Sequence, residues 1–262
     1  ANLNEYRHFS TGRGDAPPPP FSPLQISGLQ GFYSTIDANL SSTYSDGDEV
    51  TTWSDFSGNG NNLIQSASTN LPEYNSSENS LLFKRRDEAA TNDNYIFTND
   101  INASEFTTFF VVNMTADDAV HFHHLLIYLE DNDQITVRYA ADNRATLEIK
   151  ANDGTNSVTS SITKDAGVIN EGVKLLLTCR KKPFNSDDGF GQVEWFLNTT
   201  SMGTEDDYDE NIVHKIQRLG DDNTFTGFKG HMYELAIYDR ALTDDEVRQL
   251  QNYFIGKSNI SV

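Results

Sequence analysis

The sequence predicts an all-β chain folded as a two-sheet antiparallel sandwich, followed by one short C-terminal helix. From Leu29 onward, short runs rich in Val, Ile, Phe, Tyr and Thr recur, and clusters of Asn, Asp, Ser and Gly separate them. Only one segment, near the C-terminus, has a clear helical pattern with a start signal. No repeat of fixed period is present, which disfavours a propeller or a solenoid.

Residues 1–27 differ in composition from the rest of the chain. Four consecutive prolines fix φ and remove backbone donors, which predicts an extended Pro-rich arm outside a domain of residues 28–262. Extended arms bury backbone and apolar surface over a long footprint, so we expect this arm to bind partner proteins. The predicted anchoring residues are Tyr6, Phe9, Pro17, Pro18, Pro19, Pro20, Phe21 and Leu24.

Strand-like runs follow one another through the middle of the chain. They are rich in β-branched and aromatic residues, and turn residues stand between them. Asn152-Asp153-Gly154 is a strong hairpin signal because an Asp-Gly pair accepts positive φ. The predicted strands cover Phe106 to Met114, His121 to Glu130, Gln134 to Ala140, Ala145 to Lys150, Gly172 to Arg180 and Gln192 to Asn198.

A further predicted strand, residues 229–239, leads directly into the helix. Strict alternation would place Tyr233, Leu235 and Ile237 on one side of this strand and Met232, Glu234 and Ala236 on the other. The helix begins with Thr243-Asp244-Asp245-Glu246, a capping box whose threonine accepts from the third amide while the glutamate reaches back. We expect an apolar face of Val247, Leu250 and Phe254, a staple between Leu242 and Val247, and an end at Gly256.

Two segments carry a family resemblance. The first is Trp53-Ser54-Asp55-Phe56-Ser57-Gly58-Asn59-Gly60-Asn61-Asn62, and the second runs from Phe228 to Glu246 with the pattern Gly-x-x-x-Glu-x-x-Ile-Tyr-x-Arg-Ala-Leu-Thr. Both resemble signatures of laminin-G/concanavalin-A-like jelly-roll domains, and the resemblance spans roughly residues 29–260. It implies a jelly-roll sandwich, often a non-catalytic module that binds glycan or protein, of the kind found in phage structural proteins and bacterial adhesins. The motif positions are Trp53, Asp55, Gly58, Asn59, Gly60, Asn61, Glu234, Tyr238 and Arg240.

The oxygen-rich turns permit one cofactor. The side chains of the early motif can close turns on neighbouring amides, which is the favoured interpretation, but hard cations also bind where several such oxygens meet. Ca²⁺ is therefore a possible ligand of the early motif or of the acidic turns Asp46-Gly47-Asp48 and Asp221-Asp222-Asn223. No other cofactor is predicted.

Two further patterns have spacings found in catalytic or metal sites, but their sequence context disfavours both roles. Glu205 to Glu210 has the Glu-x-Asp-x-x-Glu spacing of some jelly-roll glycoside hydrolases, but its intervening residues are not apolar, so we interpret it as a solvated acidic loop. His121 and His123 share one strand face but lack a third ligand of recognisable spacing, so we interpret them as surface or core histidines. Cys179, the one cysteine, lies in a strand-like run. No enzymatic activity is predicted.

The charge of the chain limits its partners. Lys and Arg number 19 against 39 for Asp and Glu, a formal net charge of -20, so a surface that neutralises phosphates is close to excluded. We therefore expect no nucleic-acid partner. No run approaches the roughly 18 apolar residues of a membrane span, so no membrane insertion is expected.

These observations together favour a non-catalytic virion structural protein that decorates a capsid or tail surface. The N-terminus shows no positively charged segment followed by an apolar one, the arm suits attachment, and no convincing catalytic set is present. The expected partners are viral coat or tail proteins, further copies of the chain, and host surface glycans. The alternative is a secreted carbohydrate-binding module or adhesin with an extracellular location.

Overall fold

The computed structural model describes residues 21–84, 93–115, 121–128, 133–139, 144–152, 157–183, 191–208, 213–220 and 227–261. Within these ranges, sixteen strands form two antiparallel sheets of eight strands each, which confirms the predicted sandwich. Sheet A contains β1 (Leu29–Ser34), β4 (Glu73–Asn75), β5 (Ser80–Phe83), β7 (Phe106–Met114), β12 (Lys174–Lys181), β13 (Gly191–Leu197), β14 (Thr200–Tyr208) and β16 (Gly230–Tyr238). Sheet B contains β2 (Thr52–Trp53), β3 (Leu63–Ile64), β6 (Tyr95–Ala103), β8 (His121–Tyr128), β9 (Asp133–Tyr139), β10 (Ala145–Asn152), β11 (Ser157–Lys164) and β15 (His214–Leu219).

The strands of each sheet do not follow chain order. Sheet A runs β14-β13-β12-β7-β16-β5-β4, with β1 also paired to β16, and sheet B runs β11-β10-β9-β8-β15-β6-β3-β2. The hairpin predicted around residues 152–154 is confirmed, since Asn152 pairs with Ser157 across β10 and β11. The residues between them, 153–156, lie outside the described part.

Strand β7 is buried on both faces because it lies in the middle layer. Phe110 and Val112 point into the core between the two sheets, whereas Phe109 and Val111 belong to a second core on the outer face of sheet A. The helix α1 (Asp244–Ser258) covers that outer face with the predicted apolar side chains. Two short 3₁₀ helices, Pro23–Gln25 and Leu40–Ser42, complete the described helices, and none of these has the length and apolar character of a membrane span.

The predicted alternation in β16 is wrong at one point. Its pairing with β7 shifts between Met232 and Glu234, so Tyr233 is an extra residue in a β-bulge. Met232 therefore lies in the inter-sheet core together with Leu235, while Tyr233 faces the helix side. A bulge adds one residue to one strand, and every side chain beyond it changes face.

The helix begins as predicted and ends later than predicted. Thr243 accepts from the Glu246 amide and Glu246 reaches back to Thr243, which confirms the capping box. The predicted stop at Gly256 is wrong, because the helix continues to Ser258. Asn259 ends it in the left-handed region (φ 52°), where its amide donates to the Ile255 carbonyl.

Candidate functional site

The early motif forms a turn held by the carboxylate of Asp55. Its Oδ1 accepts from the amides of Phe32 (3.0 Å) and Ser57 (2.8 Å), and its Oδ2 accepts from Ser57 Oγ (2.7 Å) and the Asn61 amide (3.0 Å). The side-chain amides of Asn59 and Asn61 donate from Nδ2 to the backbone carbonyls of Leu29 and Gln30 in β1. The carboxylate accepts four hydrogen bonds and thereby fixes the conformation of the turn.

The other positions of the early motif serve the same turn. Gly58 and Gly60 have positive φ, 89° and 75°, which favours glycine at both. Trp53 is fully buried and its ring lies 5.6 Å from that of Tyr33 in the inter-sheet core.

The closing motif joins β16 to its surroundings. Glu234 is buried and accepts from Ser34 Oγ and Lys257 Nζ, both at 3.2 Å, and burial raises its pKa to about 7. The Tyr238 hydroxyl donates to the Pro23 carbonyl (3.1 Å), and Arg240 pairs with Glu246 at the start of α1. These three side chains therefore connect the end of the sheet to the segment around Pro23, to β1 and to α1.

The predicted anchoring residues fall in two groups. Tyr6, Phe9 and Pro17 to Pro20 lie outside the described residues. Phe21 packs edge-on against Tyr253 of α1, with ring centroids 6.0 Å apart, whereas Leu24 is 55% exposed.

The acidic turns predicted for Ca²⁺ make internal hydrogen bonds where they are described. Asp46 accepts from the amide and hydroxyl of Ser76, which lowers its pKa, and Asp48 accepts from the Ser45 amide. Asp221 to Asn223 lie outside the described residues. Across the described ranges, no group of three or more His, Cys, Asp or Glu side chains is arranged to hold a metal ion.

The prediction of a solvated acidic loop over residues 205–210 is wrong for residues 205–208. Residues 205–208 belong to β14, where Glu205 pairs with Val193 of β13, because ladder hydrogen bonds fix this backbone whatever the charge of its side chains. Residues 209 and 210 lie outside the described part. His123 is a core histidine, with Nε2 3.1 Å from Glu171 Oε1, while the side chain of His121 is not described.

A cavity of about 410 Å³ lies between α1 and the end of β13. We call it the helix groove, and its lining residues are Phe196, Thr199, Asp244, Val247, Arg248, Gln251 and Asn252. Strand alternation places Phe196 on the outer face of sheet A, because its neighbours Trp195 and Val193 point into the inter-sheet core. Helical spacing places Val247 and Gln251 one turn apart on the face that meets it.

Arg180 supports the groove from below. Its guanidinium carbon lies 5.7 Å from the centre of the Phe196 ring, and its Nη1 and Nη2 donate at 2.7 Å to the Leu242 carbonyl and to Asp244 Oδ1. Glu194 provides a further ion pair. The hydrogen bond and positive charge of Arg180 lower the pKa of Asp244, so this rim carboxylate is ionised at neutral pH.

Gln251 is the unusual member of the groove. The side chain is 3% exposed, and its Nε2 has no hydrogen-bond partner among the described residues. A buried donor without a partner costs about 1–3 kcal/mol, so natural structures rarely retain one without a reason.

Two other cavities are weaker candidates. One of about 220 Å³ is bordered by Lys174 and Tyr233, but Tyr233 is 4% exposed and Lys174 Nζ lies 3.8 Å above its ring. Another, of about 370 Å³, is lined by Tyr44 and Phe56. The helix groove is larger than both. It combines the aromatic ring of Phe196 with the buried amide of Gln251. The carboxylate of Asp244 and the guanidinium group of Arg248 lie at its rim, and Thr199 and Asn252 add two further polar side chains.

Sequence reasoning missed the groove. The sequence predicts Phe196 in a strand, and Gln251 follows the capping box, but the two residues come from distant parts of the chain and form no local motif. Only the packing of α1 on sheet A brings them together.

No protein-family model matches the sequence, and no curated protein matches it. Among solved structures, the chain is similar to the receptor-binding domain of botulinum neurotoxin type G, with a TM-score of 0.55 and 14% identity over 87% of this chain and 51% of that one. It is similar to the ligand-binding domain of botulinum neurotoxin serotype D in complex with N-acetylneuraminic acid, with a TM-score of 0.54 and 9% identity over the same shares. A third structure, the CBM40 of a Ruminococcus gnavus sialidase bound to α2,3-sialyllactose, has a TM-score of 0.40 and 15% identity over 56% of this chain and 82% of that one.

At these identities the likeness shows the fold alone, and it agrees with the predicted jelly-roll sandwich. The chain spans about half the length of each neurotoxin domain that it matches.

Proposed function

We propose that this chain is a non-catalytic module that binds glycans, and that the helix groove holds the sugar. The observation that carries the proposal is the position of Phe196 beside the unpartnered amide of Gln251 in one cavity. An aromatic ring offers a flat apolar surface to the C–H face of a sugar, and amide groups exchange hydrogen bonds with its substituents.

The solved neighbours support the general class. Their names describe a receptor-binding domain and a ligand-binding domain, and the second holds N-acetylneuraminic acid. In this chain a two-sheet sandwich carries loops and a helix on its surface, which suits a binding module.

The charge of the chain favours neutral over acidic glycans. A formal net charge of -20 repels polyanions over a distance of about 8 Å at physiological ionic strength. Within the groove, Asp244 and Arg248 carry opposite charges, so the rim itself is close to neutral.

The proposed location of the module is the surface of a virus particle, where its N-terminal arm attaches it to coat or tail proteins and to other copies of the chain. The proline run of residues 17–20 and the exposed side chain of Leu24 support this attachment. The alternative is a secreted carbohydrate-binding module or adhesin, which would need no such attachment.

Glycan-array binding followed by calorimetry tests the sugar site. We expect Phe196→Ala to weaken binding of the best neutral oligosaccharide at least tenfold, about 1.4 kcal/mol. Tyr44→Ala removes an aromatic ring from the other cavity and serves as the matched control, with affinity unchanged. Equal affinities for Phe196→Ala and the unmodified chain, with both folded by thermal melting, would refute the groove as the site.

Deletion of residues 1–20 tests the location. On a virion surface the truncated chain loses attachment to particles and keeps its sugar affinity. If the chain is a secreted module or adhesin, neither the full nor the truncated chain associates with virus particles, and the truncated chain keeps its sugar affinity.

A further inference from the structure

We infer that the helix groove recognises a free hydroxyl group of the sugar, which donates its hydrogen to Gln251 Oε1. This inference rests on the proposed function and deepens it by naming the class of ligand. The groove takes neutral sugars whose hydroxyl at this point is present and unsubstituted, and it rejects sugars in which that hydroxyl is removed, methylated or acylated.

The amide of Gln251 presents its oxygen to the groove. The residue is 3% exposed, and its Nε2 is enclosed by the protein and has no partner among the described residues. Oε1 is the accessible atom of the amide, and no described group donates to it. A carbonyl oxygen has lone pairs and no hydrogen, so this part of the wall can only accept a hydrogen bond.

A ligand that covers this oxygen has to replace the water that it contacts in the empty groove. Val247 lies one helical turn before Gln251, and Phe196 presents a ring, so both neighbours are apolar and neither side chain can donate. An acceptor that loses water without gaining a donor lowers the affinity of the ligand that covers it. The ligand must therefore supply a donor at this point.

A hydroxyl meets this requirement better than the other common groups of a sugar. It donates one hydrogen, which is what one accessible carbonyl oxygen needs. A methoxy or ester oxygen brings lone pairs only, so it would face Gln251 Oε1 without a hydrogen between them. The ammonium group of an amino sugar has three N–H groups and a full charge, and the apolar side chains of Val247 and Phe196 satisfy none of these.

Deoxy and fluoro sugars test the inference on the full chain. The parent probes are the methyl β-glycosides of glucose and galactose. Each hydroxyl of each parent is replaced in turn by hydrogen and by fluorine, which is close to a hydroxyl in size but carries no hydrogen to donate. Affinities are measured by NMR titration. We expect that at one position of one parent both analogues bind at least tenfold more weakly than the parent.

Two variants of Gln251 locate this preference. Gln251→Met keeps the length of the side chain without an acceptor, and it also removes the unpartnered donor, so its melting temperature should not fall. We expect Gln251→Met to bind the parent and its two analogues equally, at the level of the analogues in the unmodified chain. Gln251→Glu keeps the accessible oxygen and should keep the preference for the parent.

Asn252→Ala is the matched control. Asn252 carries an amide in the same groove, but its side chain is exposed, so its polar atoms stay in water when a ligand covers Gln251. We expect the tenfold preference to remain in this variant. Loss of the preference in Asn252→Ala and its survival in folded Gln251→Met would overturn the role of Gln251.

The sugar series separates the inference from the proposed function. Equal affinity for each parent and all its analogues overturns the inference and leaves glycan binding standing. A loss on deoxygenation that fluorine restores would show that the wall donates, which also overturns the inference. Absence of binding by both parents overturns the inference, and if the glycan array is free of neutral ligands as well, the proposed function falls with it.

Discussion

Arg240 holds Glu246 by two parallel hydrogen bonds, with Nη1 3.0 Å from Oε2 and Nη2 2.6 Å from Oε1. The arginine follows the last strand of sheet A, and the glutamate is the third residue of α1 and closes its capping box. One side chain therefore connects the helix start to the sheet, and the same carboxylate caps the helix. This arrangement keeps α1, and with it one wall of the helix groove, in a fixed position.

Replacement of Arg240 by lysine tests this connection. A lysine keeps the positive charge but cannot make the paired hydrogen bonds, so we expect Arg240→Lys to lower the free energy of unfolding by about 1 kcal/mol. Arg248→Lys is the matched control, because Arg248 makes an exposed pair with Asp245, and its change should stay within about 0.5 kcal/mol. Equal effects of the two substitutions in denaturant unfolding would contradict the assignment.

Glu246 also predicts how stability depends on pH. The hydrogen bonds from Arg240, with smaller contributions from Thr243, lower its pKa to about 2 from an ordinary value of 4.5. Because the folded pKa is the lower one, this stabilisation is fully present above about pH 4.5 and is lost as the pH falls towards 2. The difference in unfolding free energy between the unmodified chain and Glu246→Gln should therefore shrink between pH 5 and pH 2. A difference that stays constant over this range would show that Glu246 titrates normally.

The start of α1 was predictable because its determinants are local. Thr243 and Glu246 stand three positions apart, and the capping box depends only on that spacing. Strand β7 was predicted with its observed bounds for a similar reason, since its first seven residues are all aromatic or β-branched.

Other features depend on partners that the sequence does not name. The bulge at Tyr233 arises in the pairing of β16 with β7, and no residue type near it marks the shift. Gly256 is a local signal for the end of a helix, but α1 continues past it and ends where Asn259 adopts the left-handed conformation. The helix groove joins Phe196 and Gln251 only after α1 packs on sheet A, so it has no sequence signature.

Asp55 should be one of the most sensitive polar positions of the chain. Asp55→Ala removes the acceptor of four hydrogen bonds and leaves the amides of Phe32, Ser57 and Asn61 without it, so we expect a loss of about 3–5 kcal/mol. Asp245→Ala, on the exposed first turn of α1, removes a carboxylate of the same kind and should cost less than about 1 kcal/mol. If Ca²⁺ raised the melting temperature of the unmodified chain but not of folded Asp55→Ala, the Asp55 carboxylate would bind Ca²⁺ in addition to accepting the hydrogen bonds of the turn.

Substitution by alanine should have opposite effects on stability at Gly230 and at Gly256. At Gly230, φ is +135° and an added Cβ would lie 2.2 Å from the Asn113 carbonyl oxygen in the neighbouring strand β7, so Gly230→Ala should cost more than about 3 kcal/mol or prevent folding. At Gly256, inside α1, an added Cβ has no heavy atom within 4 Å, and alanine is the better helix former by about 1 kcal/mol.

Thermal unfolding of the two variants checks both directions in one experiment. Gly256→Ala should raise the melting temperature, because alanine loses less conformational freedom than glycine when the helix forms. If Gly256 instead ended the helix in a left-handed conformation, alanine there would be strained and the melting temperature would fall. A rise therefore supports a helix that continues to Ser258, and a fall would contradict it.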